Sequence, residues 1–323
     1  MKKNIILVGC GNIGSRHLQA LVKLPFKVDI HIVEKSNKSK ILAKNRLKEI
    51  KFNKKNFSFF WYNSVDQLTS SSSDLVIIST LSQGRVDLIL SLLKNKNKKF
   101  LIEKPVCQSK KEYDHLLSQM NLFNATGWIN TNRRYFESYQ KIKNDLNDCK
   151  FININVVSTA SGLGTNAIHF LDLFSWLIDD SKIKLNGEFL NPKLFFNKRG
   201  KEFKEFYGTI FGSGKNNSSI TLNFLPSKNE SIFLTISTDS VTYVIDELNQ
   251  NALKIGKTNK KFNFIYEHVS QSTTKIVIDI LEKNKSFLPQ LDESYVNHIE
   301  LFRIFNLHLK KQLKRDISLC PIT

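Results

Sequence analysis

The residues best placed to do chemistry stand at four points of the chain. Near the start an apolar run, Ile5 to Val8, leads into Gly9-Cys10-Gly11-Asn12-Ile13-Gly14, and a helix-like stretch follows. A Gly-x-Gly-x-x-Gly turn after a strand suits a pyrophosphate. Gly9 permits the tight turn, Gly11 lets the backbone approach the phosphates, and Gly14 lets the helix pack close to the strand. The helix then aims its unpaired N–H groups and the positive end of its dipole at the same place. Glu34 closes the next apolar run about 20 residues after Gly14, where a carboxylate binds the ribose hydroxyls of an adenosine. Lys104 is set between a strand end and Pro105, at the edge where open α/β sheets take their ligands. An ammonium there faces the nicotinamide end of a dinucleotide; the other reading is a surface lysine in a turn. Further on, His169 and Asp172 are three apart in an apolar helix-like segment and share a face, with Thr165 and Asn166 one turn earlier. A His beside a carboxylate is a proton-transfer group near neutral pH. A hydrogen-bonded core histidine is the bland reading of the same pattern.

These groups need elements to hold them. Short apolar runs at Ile5–Val8, Val28–Val33, Phe57–Tyr62, Leu75–Ser79 and Phe100–Ile102 read as strands, with helices over Ile13–Lys23, Ser39–Leu47, Arg85–Leu93 and Lys111–Asn121. That alternation predicts a doubly wound parallel sheet, a Rossmann dinucleotide-binding domain over residues 1–123, closed by a strand at Ala125–Ile129. Ser70–Ser73 reads as a turn. Period-two alternation then takes over: Phe151–Val157, Ser219–Phe224, Ile232 to Ile236 and Phe262 to Tyr266. This predicts an α+β second domain over residues 124–323, with a mostly antiparallel, open-faced sheet. Two helices end the chain, Thr274–Lys283 and Glu293–Lys311, the latter with a core stripe of Ile299, Phe302, Phe305 and Leu309. The fold class is α/β.

Composition narrows the setting. A chain of 323 residues buries a sizeable core, and 41% hydrophobic residues fit a soluble globular protein. No apolar run reaches bilayer length, so no membrane role is expected. Met1-Lys2-Lys3 and the run to Cys10 mimic a lipoprotein leader, but the apolar stretch is too short and serves as the first strand. The four cysteines are scattered, with no metal-type pairing, which predicts a reducing cytoplasmic setting and no metal. The net charge of +19 is almost all lysine, spread along the chain, so no nucleic-acid partner is expected; the charge favours anionic substrates.

Taken together the motifs resemble the glucose–fructose oxidoreductase / inositol dehydrogenase family, usually called Gfo/Idh/MocA, over nearly the whole chain. Gly9–Gly14, with Asn12 and Ile13 inside it, is similar to the family's cofactor loop, Ser79-Thr80 to its cofactor-contacting strand end, and Glu103-Lys104-Pro105 to its Glu-Lys-Pro motif. Asn132-Arg133-Arg134-Tyr135 resembles the segment that begins the second domain, and Gly164 to Asp172 the helix with the catalytic His. The resemblance implies an NAD(P)-dependent dehydrogenase or reductase acting on CH–OH groups of a sugar, nucleotide sugar or polyol. NAD is the expected cofactor because Glu34 repels a 2′-phosphate, while Lys35 leaves NADP possible. In these roles His169 moves the hydroxyl proton, Asp172 orients it, Lys104 stabilises the alkoxide, and Glu103 and Thr80 contact the cofactor. Thr165 and Asn166 bind the substrate, and Arg133 binds its carboxylate or phosphate, unless Arg133 and Arg134 are a solvated helix start. Family members commonly pair sheet faces, so a homodimer or homotetramer is expected. Two departures stand out. Leu81 and Arg85 occupy positions where many members have Pro and His, and Thr165 and Ala167 replace the usual Asp and Gly before the His. The missing acid keeps a non-catalytic nucleotide-binding regulator and an NAD-assisted glycoside hydrolase in view.

Overall fold

The computed structural model describes residues 2–68 and 72–323; Ser70 and Ser71 of the expected turn lie outside the described residues. The chain parts into two compact units. The first takes residues 1–107, 111–135 and 267–292. Its elements are β1 (Lys3–Val8), α1 (Gly14–Leu21), β2 (Val28–Val33), α2 (Asn37–Lys48), β3 (Phe57–Tyr62), β4 (Leu75–Ile78), α3 (Arg85–Lys94), β5 (Lys99–Ile102), α4 (Lys110–Leu122) and β6 (Thr126–Ile129). Ile5, Leu7, Ile30 and Ile77 are fully buried, as strands covered on both faces require. The six strands run in the order β3-β2-β1-β4-β5-β6, all parallel. The order reverses between β1 and β4, the switch point at whose carboxyl ends such sheets bind ligands.

The division expected after residue 123 is not how the fold divides. β6 pairs with β5 and completes the sheet, and a helix at Val269–Ile278 returns to pack on α1. That return helix buries Ile276 and Val277 in the same core as Leu18 and Leu21. An amphipathic pattern fixes which face of a helix is buried but carries no address for the core it joins.

The second unit takes residues 108–110, 136–266 and 293–323. It contains α5 (Glu137–Asp145), β7 (Asn153–Ser158), α6 (Leu163–Leu177), β8 (Lys184–Asn186), β9 (Phe195–Asn197), β10 (Gly200–Glu205), β11 (Gly208–Ser213), β12 (Ser219–Phe224), β13 (Ile232–Ser237), β14 (Thr242–Asp246), β15 (Asn251–Ile255), β16 (Lys260–Asn263) and most of a helix at Leu291–Leu313. Eight strands form one sheet in the order β16-β15-β14-β13-β7-β12-β11-β8, and β9 and β10 form a separate hairpin. Every pairing in the large sheet is antiparallel except β7 with β12. Ile154, Val156, Leu222 and Leu234 line its buried face, and α6 packs against β12 there. Phe302, Phe305 and Leu309 are buried as the stripe predicted, with the Phe305 ring stacked on Phe206 at 4.2 Å.

Candidate active site

The glycine loop is built by steric exclusion. Gly9 holds φ at +82°, a conformation that other residues rarely adopt, and a Cβ there would stand 3.0 Å from the Ser79 carbonyl carbon. A Cβ on Gly14 would overlap the Gly9 carbonyl oxygen, so α1 can start this close to β1 only from a glycine. At Gly11 a Cβ would meet nothing nearer than the Ser39 hydroxyl at 3.9 Å, so that backbone faces open space. Ile13 occupies the N-cap position of α1 and offers no side-chain cap. Asn12 is exposed, and its carbonyl accepts from the Arg46 guanidinium at 2.6 Å, which also reaches the Ser15 hydroxyl at 2.6 Å. Glu34 sits where β2 ends, and its two oxygens accept from the Cys10 and Ser36 amides at 2.7 and 2.8 Å. A carboxylate has about four acceptor sites, so room remains for ribose hydroxyls. Burial and the Glu34 charge push the Cys10 thiol up to about 12, which leaves it neutral beside the loop. At the end of β4 the Thr80 hydroxyl oxygen is buried with no hydrogen-bond partner. An open glycine, an uncapped helix start, a strand-end carboxylate and an orphaned hydroxyl are what a dinucleotide needs.

The turn after β5 is held from below. Arg85, the first residue of α3, is buried, and its guanidinium donates to the carbonyls of Thr80, Glu103 and Pro105. One cation thus pins the ends of two strands around Lys104, which is 6% exposed rather than a surface lysine. Glu103 is also buried. Its Oε1 accepts from His17 at 3.0 Å and from the Asn130 amide, and His17 contacts Thr273 at 2.9 Å through its other nitrogen. His17 and the nearby Lys104 and Asn130 outweigh burial and bring the Glu103 carboxyl down to about 2. The carboxylate expected to touch the cofactor is therefore engaged with His17 of α1 and with Asn130. Arg133 and Arg134 lie on a 3₁₀ turn, Asn132–Tyr135, and both are buried, so the solvated helix start is excluded.

In the second unit α6 begins at Leu163 and carries the remaining candidates. Thr165, Asn166 and His169 are half-buried, and Asp172 is fully buried. Thr165, standing where the family pattern has an acid, donates its hydroxyl to a carboxylate after all: Glu205, at the end of β10, receives it at 2.5 Å. Sequence reading missed Arg46, His17 and Glu205. Each acts through a partner 31 or more residues away, and no local spacing announces such a pair. Arg85 was visible only as a departure.

The fold and the loop define a class, a dinucleotide-binding domain joined to an α+β unit. Residues 3–122 match the Gfo/Idh/MocA family model, described as an oxidoreductase family with an NAD-binding Rossmann fold. That match covers the glycine loop and the first strands and helices of the first unit and gives it the NAD-binding Rossmann fold that the motifs indicated. No curated protein matches the chain. Among solved structures, the fold is similar to an oxidoreductase from Agrobacterium radiobacter in complex with NAD+, L-tartaric acid and magnesium (14% identity, 93% of this chain and 94% of that one, TM-score 0.73). It is also similar to UDP-N-acetylglucosamine 3-dehydrogenase from Acidithiobacillus ferrooxidans (13%, 97% and 99%, 0.71). A third is biliverdin reductase from Synechocystis in complex with biliverdin and NADP+ (12%, 93% and 98%, 0.68). At these identities the likeness is one of fold. Among the described residues no helix is long and apolar enough to cross a membrane, and no group of three or more His, Cys, Asp or Glu could hold a metal ion.

Proposed function

We propose that this protein is an NAD(P)-dependent oxidoreductase that moves a hydride between the nicotinamide and a hydroxyl-bearing carbon of a sugar, nucleotide sugar or polyol. The observation that carries the reading is the buried Lys104, set beyond β5 at the carboxyl edge of the nucleotide-binding sheet and clamped there by Arg85. Gly9 to Gly14 would hold the pyrophosphate, Glu34 the adenosine ribose, and Thr80 the strand-end side of the dinucleotide. When bound, that group accepts or donates the hydride. The protein's own residues manage the oxygen. During oxidation His169 takes the hydroxyl proton, and in reduction it returns it. Lys104 stabilises the alkoxide as it forms. Asp172 orients His169, Thr165 and Asn166 bind substrate hydroxyls, and Arg133 pairs with a carboxylate or phosphate. Relatives of this fold that act on a nucleotide sugar and bind a hydroxy acid support this substrate range.

The test is NAD and NADP titration followed by a panel of sugar acids, nucleotide sugars and polyols. Steady cofactor reduction with a panel member is expected. Tight cofactor binding with no turnover across the panel would favour a regulatory role, and sugar release with no net cofactor change a glycoside hydrolase.

A further inference from the structure

Between α5 and the outer strands of the large sheet the second unit encloses a cavity of about 330 Å³. Ser138, Lys141, Ile142 and Asp145 follow one another on α5 at intervals of three, one and three residues, so a single stripe of the helix forms one wall. The opposite wall is a cross-strand row. Ile236 of β13 lies opposite Tyr243 of β14, Tyr243 opposite Lys254 of β15, and Lys254 opposite Lys260 of β16. The row starts in the core, where Ile236 and Tyr243 are buried, and runs outward to the half-buried Lys254 and the exposed Lys260. Phe262 stands two residues beyond Lys260 on the same side of β16, with its ring edge-on to Tyr243 at 6.3 Å. The Ser138 hydroxyl accepts from the Ile265 amide at 2.8 Å and ties α5 to the segment after β16.

The charges of this cavity do not balance. Asp145 is the one carboxylate that lines it, and it is engaged: it accepts from the Tyr243 hydroxyl at 2.5 Å and from the Lys254 ammonium at 2.7 Å. Burial and the bond to Asp145 push the Tyr243 hydroxyl up to about 12, so the phenol adds no charge. Lys141 and Lys260 line the same space, and among the described residues neither forms an ion pair. Lys260 also faces Lys254 directly across an antiparallel ladder, where like charges destabilise the sheet. The interior is apolar, with Ile142, Tyr243 and Phe262 offering flat and branched surface. A volume at the lower end of the range for small-molecule sites has room for one ring and its acid group and excludes a helix or a strand.

We propose that this cavity is a binding site for a small aromatic acid, whose ring packs on Tyr243, Phe262 and Ile142 and whose anionic group lies between Lys141 and Lys260. The anion is the counter-charge that the Lys254–Lys260 pair lacks. The site lies wholly within the second unit and uses no residue assigned to hydride or proton transfer, so it stands whether or not that assignment does.

The test is a titration of the full-length protein with 4-(trifluoromethyl)benzoate, followed by 19F NMR. Saturable binding is expected, and the neutral 4-(trifluoromethyl)benzamide should bind at least about tenfold more weakly, because it offers no charge to the lysines. K141A/K260A should weaken the benzoate by at least about tenfold. K141R/K260R should keep it, as should K198A/K228A, which removes two exposed lysines elsewhere on the same unit. Binding of the benzoate that K141A/K260A leaves unchanged lies at another site and would overturn the proposal. So would an equal loss in K198A/K228A, which would show attraction to the net charge alone. Should K141A/K260A fail to fold, the wild type still decides: a benzamide that binds as well as the benzoate, or a benzoate without saturable binding, also overturns it.

Discussion

At the scale of single residues the expected losses are in turnover rather than in cofactor affinity. A general acid–base group contributes about a hundredfold to ten-thousandfold, so H169A should lose kcat in that range with NAD titrations unchanged. On the role proposed for Lys104, the charged donor to the forming alkoxide, K104A should fall similarly. An H169A enzyme with near wild-type kcat would remove the helix from the mechanism. Glu34 acts on cofactor choice: E34A should weaken NAD and improve NADP relative to it, and a wild type that binds NADP much more tightly would contradict the assignment. Glu103 acts on stability. Its carboxyl sits at about 2 instead of the ordinary 4.5, held down chiefly by His17 against burial. A depressed carboxyl contributes stability that is complete above the ordinary value and is lost as pH falls toward the folded one. Urea midpoints of wild type and E103Q should therefore differ most near neutral pH and converge as pH falls through about 4.5 toward 2. A gap that stays constant over that range would show that His17 holds Glu103 by shape alone.

At the scale of elements the glycine loop separates folding from binding. A Cβ on Gly14 has no space against the Gly9 carbonyl, whereas one on Gly11 reaches only the Ser39 hydroxyl. G14A should cost stability and binding together. G11A should melt close to the wild type and lose NAD affinity, measured by calorimetry, because its methyl stands where the pyrophosphate comes closest. A G11A protein with wild-type affinity would place the phosphates elsewhere. This loop was legible because each glycine meets a local demand, and the parallel strands were legible because they are apolar from end to end. β2 and β3 occupy the expected residues, Val28–Val33 and Phe57–Tyr62. The second unit was legible only in part. β12 stands at Ser219–Phe224 as its alternation required, but Phe264 and Tyr266 fall beyond β16, which ends at Asn263. β8 and β15 are short and carry Lys and Asn, and β9 has only three residues, so their pairing comes from neighbours rather than from their own pattern. α5 was hidden by the polar run Gln140 to Asp145, although Tyr139 and Ile142 are buried. The return helix starts at Val269, five residues before Thr274, because His268 and Gln271 form a reciprocal cap there. The site divides in the same way. Lys104 and His169 stand in readable motifs, whereas the Glu103–His17 and Thr165–Glu205 contacts span 86 and 40 residues.

At the scale of the molecule the open face of the eight-stranded sheet is the feature with a consequence for assembly. Its registers put Phe211, Thr221, Asn155, Thr235 and Val244 in one row across five strands. Thr209, Asn223, Val157, Phe233 and Asp246 form the next. Phe211, Val157, Phe233 and Val244 are 38–44% exposed there, while their neighbours along each strand are buried on the opposite side. A monomer seldom leaves such apolar side chains grouped on one flat face. The short polar residues between them suit a self-complementary contact, in which each row meets its own copy across a two-fold axis. The face carries few charges, so a second copy can approach despite the net charge of +19. The protein is expected to be a homodimer, or a dimer of dimers, joined through this face. F233D puts a carboxylate into the centre of the contact and should halve the mass seen by light scattering at micromolar concentration, with the thermal transition of the protomer retained. A wild type that already runs as a monomer at that concentration would refute the assembly, and an F233D protein that remains dimeric would move the interface to another surface.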